Sequence, residues 1–168
     1  MSKAFTRESD DSEALPPRPK SPLPPGAKNY VTPNGARQLR AELDRLQALE
    51  RQRLSEATDA SEARQQLQHL RQQVDYLQES LESAVIVPPP PWPWDQVRFG
   101  ATVRVRDGRG HEARYRIVGV DETDLDRDWV SWLSPIARAL TNARISQRVR
   151  FRAPAGDQEL EILEILYE

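Results

Sequence analysis

Residues 67–91 read LQHLRQQVDYLQESLESAVIVPPPP. Leu67, Leu70, Val74, Leu77, Leu81 and Ala84 recur three and four apart, the spacing that lines one helix face as a coiled-coil seam. Pro88, Pro89, Pro90 and Pro91 end that helix, because proline lacks the backbone donor and clashes with the preceding turn. Upstream, Thr32-Pro33-Asn34-Gly35 offers a capping threonine followed by proline at the first helical position. Leu39, Leu43 and Leu46 follow on one face, and the stripe blurs near Leu54 before reaching Ala57. Between the two stripes lies Ala57-Thr58-Asp59-Ala60-Ser61-Glu62, polar and small enough to turn. Two helices of about 25 residues joined there form an antiparallel hairpin ~37 Å long. A parallel dimeric coil would need one continuous stripe, and the break at residues 58–61 interrupts it.

On either side the texture changes. Residues 1–28 hold six of the 14 prolines and few large apolar side chains, too few to offset the entropy of ordering a backbone, so they read as a disordered tail. Residues 29–87 are the hairpin, and residues 88–95, with Trp92 and Trp94 among prolines, a stiff linker whose indoles pack against a neighbour. Residues 96–168 read as strands. Thr102–Arg106 alternates, Asp107-Gly108 signals a turn, and Arg114–Val118 pairs back. Trp129–Leu133 is a third strand, and Ser134-Pro135 opens a short helix through Leu140. Val149–Arg152 and Leu160–Ile165 follow around an Ala155-Gly156 turn. The expected fold is α+β: the hairpin, then a twisted antiparallel sheet carrying one helix.

Composition removes several kinds of chemistry. The 168 residues contain no cysteine, which excludes disulfides, thiolate nucleophiles and cysteine-bound zinc. The 24 basic and 26 acidic residues are spread evenly, so a simple cationic nucleic-acid binder is disfavoured. No apolar run approaches the ~20 residues that span a bilayer, which points to a soluble, cytoplasmic protein. There is no glycine-rich phosphate loop and no nucleophile–base set. His69 and His111 are isolated and read as surface or structural residues. Asp59 and Glu62, three apart at the start of the second helix, read from spacing alone as a capping box.

The order of pieces resembles the Gre-type bacterial transcript-cleavage factors, GreA and GreB. The residues that carry the likeness are Tyr30-Val31-Thr32-Pro33-x-Gly35, Leu39, Glu42 and Leu43, then Phe99–Val103, Tyr115–Gly119 with Asp121-Glu122, and Ala153–Gly156. The most specific is Ser134-Pro135-x-Ala137-Arg138-Ala139-Leu140. The resemblance implies an N-terminal antiparallel coiled-coil hairpin and a small FKBP-like α+β domain. It implies a monomer that docks on RNA polymerase beside the secondary channel through Ser134, Pro135 and Arg138. The hairpin then enters the channel toward backtracked nascent RNA. Asp59 and Glu62 would share a magnesium ion in trans with the polymerase, which owns the active site; the protein itself is an accessory factor, not an enzyme.

This sequence departs from the family pattern at the tip, where glycine is replaced by Thr58 and asparagine by Ala63. The family's Thr-Pro start also lies about one heptad farther from the tip aspartate. Symmetric loss from both arms keeps the seam in register but shortens the reach by ~10 Å. The alternative expectation is therefore a cleavage-incompetent binder of the secondary channel that competes with or modulates other factors.

Overall fold

The computed structural model of the protein describes residues 23–56 and 61–168. A three-residue strand β1 (Asn29–Val31) leads into helix α1 (Pro33–Ser55); helix α2 (Ser61–Ser83) returns and runs directly into strand β2 (Ala84–Ile86). Thr32 caps α1, its hydroxyl oxygen accepting from the Gly35 N–H at 2.9 Å. The helices pack through a narrow seam of Leu46, Leu70 and Val74, flanked by Leu43, Leu49 and Leu77. Each helix has 23 residues, so the hairpin is about 35 Å long. An Arg71–Glu50 ion pair of 3.0 Å ties the exposed flanks together.

The seam is shorter than its sequence pattern. Ala84, its last expected member, belongs to β2, which pairs in parallel with β1 from Asn29↔Ala84 to Val31↔Ile86. Parallel strands need a long crossover, and the helical hairpin is that crossover. Neither short strand was expected, since three residues give no alternation to read.

The second unit is a five-stranded sheet in the order β5-β4-β3-β7-β6, where β3 is Thr102–Asp107, β4 Glu112–Val118, β5 Trp129–Ser131, β6 Arg148–Ala153 and β7 Gly156–Leu166. Helix α3 (Pro135–Leu140) lies on one face. Val97, Val103, Val105, Ile117, Ala137, Leu140 and Ile162 form the core. The other face is an Arg/Glu lattice, with Arg106 on Glu112 at 2.8 Å and Arg150 on Glu159 at 3.0 Å. The guanidinium of Arg106 lowers the pKa of Glu112, and that of Arg150 lowers the pKa of Glu159.

The expected all-antiparallel sheet is corrected: β4 and β5 run parallel, because two single-turn 3₁₀ helices (Val120–Glu122 and Leu125–Arg127) carry the chain back before β5 begins. The final hairpin turns at Pro154-Ala155, with Gly156 at φ 117° already opening β7. The linker indoles also separate. Trp94 packs on Tyr167 with ring centroids 5.5 Å apart, whereas Trp92 is 79% exposed and contributes to neither core. Among the described residues no helix is long and apolar enough to cross a membrane.

Candidate functional site: hairpin tip, docking helix and hairpin root

Glu62 lies in the first turn of α2 and is exposed. Asp59 lies outside the described residues, so neither the capping box nor a paired arrangement has a geometry here. Among the described residues no group of three or more His, Cys, Asp or Glu is placed to hold a metal ion. Hard carboxylate oxygens suit magnesium by donor chemistry. Two of them fill only part of its octahedral shell, which leaves the other positions to water, phosphate oxygens or a partner's carboxylates.

Ser134, Pro135 and Arg138 share one short helix. The Ser134 hydroxyl accepts from the Ala137 N–H at 3.3 Å, and Pro135 fills the first turn. Ala137 and Leu140 are fully buried beneath it, leaving Pro135 and Arg138 exposed. Arg138 makes no ion pair among the described residues. The loop before it is pinned as well: Trp132 N–H donates to Val118 C=O at 2.9 Å, and Ser134 N–H to Ser131 C=O at 2.9 Å. The result is an exposed surface held by its own hydrogen bonds, on which Arg138 has no ion pair among the described residues.

Sequence reading assigned no role to Asp121 and Glu122, only their match to a family pattern. The structure puts both at the hairpin root, buried to 6% and 9% exposure. Glu122 accepts from the Thr32 N–H and the Gly119 N–H, each at 2.9 Å, and from the Thr32 hydroxyl. It therefore sits at the positive end of the α1 dipole. Asp121 accepts from the Tyr76 and Ser80 hydroxyls, both at 2.5 Å. Burial, then the bond to Asp121, pushes the Tyr76 hydroxyl well above the ordinary tyrosine range, so it remains a donor.

Two glycines permit this closeness. A Cβ on Gly35 would overlap the Glu122 carboxylate, and one on Gly119 would overlap the Tyr30 carbonyl oxygen. The Thr-Pro-x-Gly string thus has a physical reason: threonine caps and donates, proline starts the helix, and glycine leaves room for Glu122. Tyr30 completes the root, its ring 5.7 Å from Phe99 and 5.0 Å, edge-on, from Trp132. Trp132 lies two residues before Ser134, so hairpin root and docking loop touch.

Comparison with known proteins gives consistent results. Residues 92–167 match the family model described as transcription elongation factor, GreA/GreB, C-terminal. Transcription elongation factor GreB of Neisseria meningitidis serogroup A is 36% identical over 154 residues, covering 83% of this chain and 94% of the relative. GreB of Pseudomonas aeruginosa is 35% identical, covering 82% and 89%, and GreA of Alkalilimnicola ehrlichii 36%, covering 84% and 99%. A solved GreA/GreB factor from Nitrosomonas europaea is 22% identical, with a TM-score of 0.42, over 83% of this chain and all of its own. The 154 positions aligned with the Neisseria protein fall on 83% of 168 residues, about 139, so about 15 positions are filled in that relative alone.

Proposed function

The chain belongs to the GreA/GreB family of transcription elongation factors, and on that premise we propose that it binds bacterial RNA polymerase at the secondary channel and promotes cleavage of backtracked transcripts, releasing arrested complexes. The observation that carries the proposal is the coupling of a slender hairpin to a rigid exposed surface: α3 offers Pro135 and Arg138 outward, while the hairpin projects about 35 Å from a root that touches the same loop.

In this reading the protein works as a cytoplasmic monomer and the polymerase supplies the active site. Ser134, Pro135 and Arg138 bind the polymerase surface, with Arg138 as the charged anchor. The hairpin enters the channel and brings Asp59 and Glu62 to the backtracked RNA. Those two carboxylates would hold a magnesium ion jointly with polymerase carboxylates, and such an ion, when bound, activates water for phosphodiester hydrolysis. Oxygens of Asp59 and Glu62 not taken up by the ion would orient that water by accepting its hydrogen bonds.

Replacing Pro135 by alanine and Arg138 by glutamate is expected to weaken co-elution with core polymerase by about tenfold or more, since a hot-spot arginine is typically worth at least that. The isolated protein should keep its melting temperature, because both side chains are exposed. Unchanged co-elution would refute the docking assignment.

A second reading rests on the positions that the relatives have and this chain lacks. About 15 positions is close to two heptads; shared equally between the arms, as the spacing from Thr32 to Asp59 suggests, that loss would hold the tip ~10 Å back. On that reading the protein occupies the channel without supporting cleavage.

A further inference from the structure

We propose that Asp121 and Glu122 are positioning residues that clamp the two arms of the hairpin separately to the sheet domain and so set the direction in which the tip points. The inference deepens the secondary-channel reading and rests on it for its functional consequence, although the clamp itself is a property of the free protein. Adjacent in sequence, the two carboxylates hold different helices. Glu122 grips the start of α1 through Thr32, and Asp121 grips the last third of α2 through Tyr76 and Ser80. The arms are already joined by the seam and by the β1–β2 pairing; held at one point that unit could swivel, whereas held through both arms from one short 3₁₀ turn it cannot.

Leverage makes the root matter. A rotation of 10° there sweeps the end of a 35 Å arm by about 6 Å, while a carboxylate must come within ~2.1 Å of magnesium to ligate it. The fit around Glu122 leaves no slack. Its oxygens accept three hydrogen bonds from Thr32 and Gly119, and its carboxylate fills the space beside Gly35 where a side chain would otherwise stand. Contact between Tyr30 and Trp132 links this root to the loop before Ser134, so the docking surface and the lever share one frame.

The test uses the absence of cysteine from the chain. Gln66→Cys near the tip and Arg109→Cys in the β3–β4 turn carry a spin-label pair whose distance distribution is measured in the full-length protein. The parent should give one narrow distribution. Glu122→Ala and Asp121→Ala should broaden it, and Glu122→Gln, which keeps an acceptor for both N–H groups, should restore much of the sharpness. Gly35→Ala is the sharper variant. Alanine favours the helix itself, and the three atoms nearest its Cβ all belong to Glu122, so broadening reports the displacement of Glu122. The same change made together with Glu122→Ala should add nothing, because the obstructing side chain is gone. If Glu122→Ala fails to fold, Gly35→Ala and Tyr76→Phe carry the test.

With polymerase, the clamp variants should co-elute as the parent does, while stimulated cleavage falls about tenfold or more, the scale of a misplaced catalytic group. A distribution that stays narrow in both Glu122→Ala and Gly35→Ala overturns the clamp, whatever the polymerase assays give. Broadened distances with cleavage unchanged overturn its positioning role. Broadened distances in a protein whose parent does not bind polymerase leave the clamp standing and refute the channel reading instead.

Discussion

Alanine at both Asp59 and Glu62 is expected to remove the protein's stimulation of transcript cleavage, returning a stalled complex to the polymerase's own rate. The expected fall is about tenfold to 100-fold, the range seen even when only the supports of metal ligands are lost. Co-elution with polymerase should not change, since the docking residues lie on α3 at the other end of the molecule. Single conservative changes separate the two roles that the sequence allows these carboxylates. Asparagine caps a helix as well as aspartate does. If Asp59 served only as a cap, Asp59→Asn would keep both helicity and cleavage. Ligation and water orientation need the anionic oxygens, so Asp59→Asn and Glu62→Gln should keep helicity and lose most of the stimulation. Circular dichroism and a cleavage time course on the same preparations make the comparison.

Lengthening the arms should have an effect of the opposite sign. One heptad inserted after Arg53 and another before Leu67 keeps the three–four seam in register and moves the tip outward by ~10 Å. Both insertion points lie beyond most of the seam, whose buried residues in this region are Leu46, Leu70 and Val74. A tip that reaches the active site in only a fraction of docked conformations limits the rate by that fraction. The longer hairpin should therefore raise cleavage by about tenfold, and the gain should vanish when Asp59 and Glu62 are alanine. A lengthened protein that cleaves more slowly would show that the wild-type arms already match their polymerase.

Much of this architecture is written in periodicity. The seam from Leu67 to Leu81, the alternation of Val103 and Val105, and the Ser134-Pro135 cap each state their local structure through a spacing that water enforces. The parts that could not be read depend on contacts distant in sequence. β1 and β2 pair across the whole hairpin and are too short to alternate. The direction of β5 follows from the path of the two 3₁₀ turns, which carry no periodic signal. Trp92 stays in solvent while Trp94 finds Tyr167, a choice that composition cannot make. The root clamp was half visible. Thr32, Gly35, Asp121 and Glu122 all belong to strings that resemble the family, but only the fold shows that they meet, about 90 residues apart along the chain. A glycine beside a helix cap, with an acidic pair following a strand, is the signal that could have suggested it. For the tip, sequence still says more than structure does: Glu62 is an exposed residue in the first turn of α2, and Asp59 lies outside the described residues.

The most direct test of the account is the release of short 3′ fragments from a backtracked, stalled RNA polymerase complex, with magnesium present and with or without the wild-type protein. The account predicts faster release that saturates as protein is added, and no such gain with the Asp59→Ala/Glu62→Ala variant. An unchanged release rate, with the wild-type protein still co-eluting with polymerase, would contradict it.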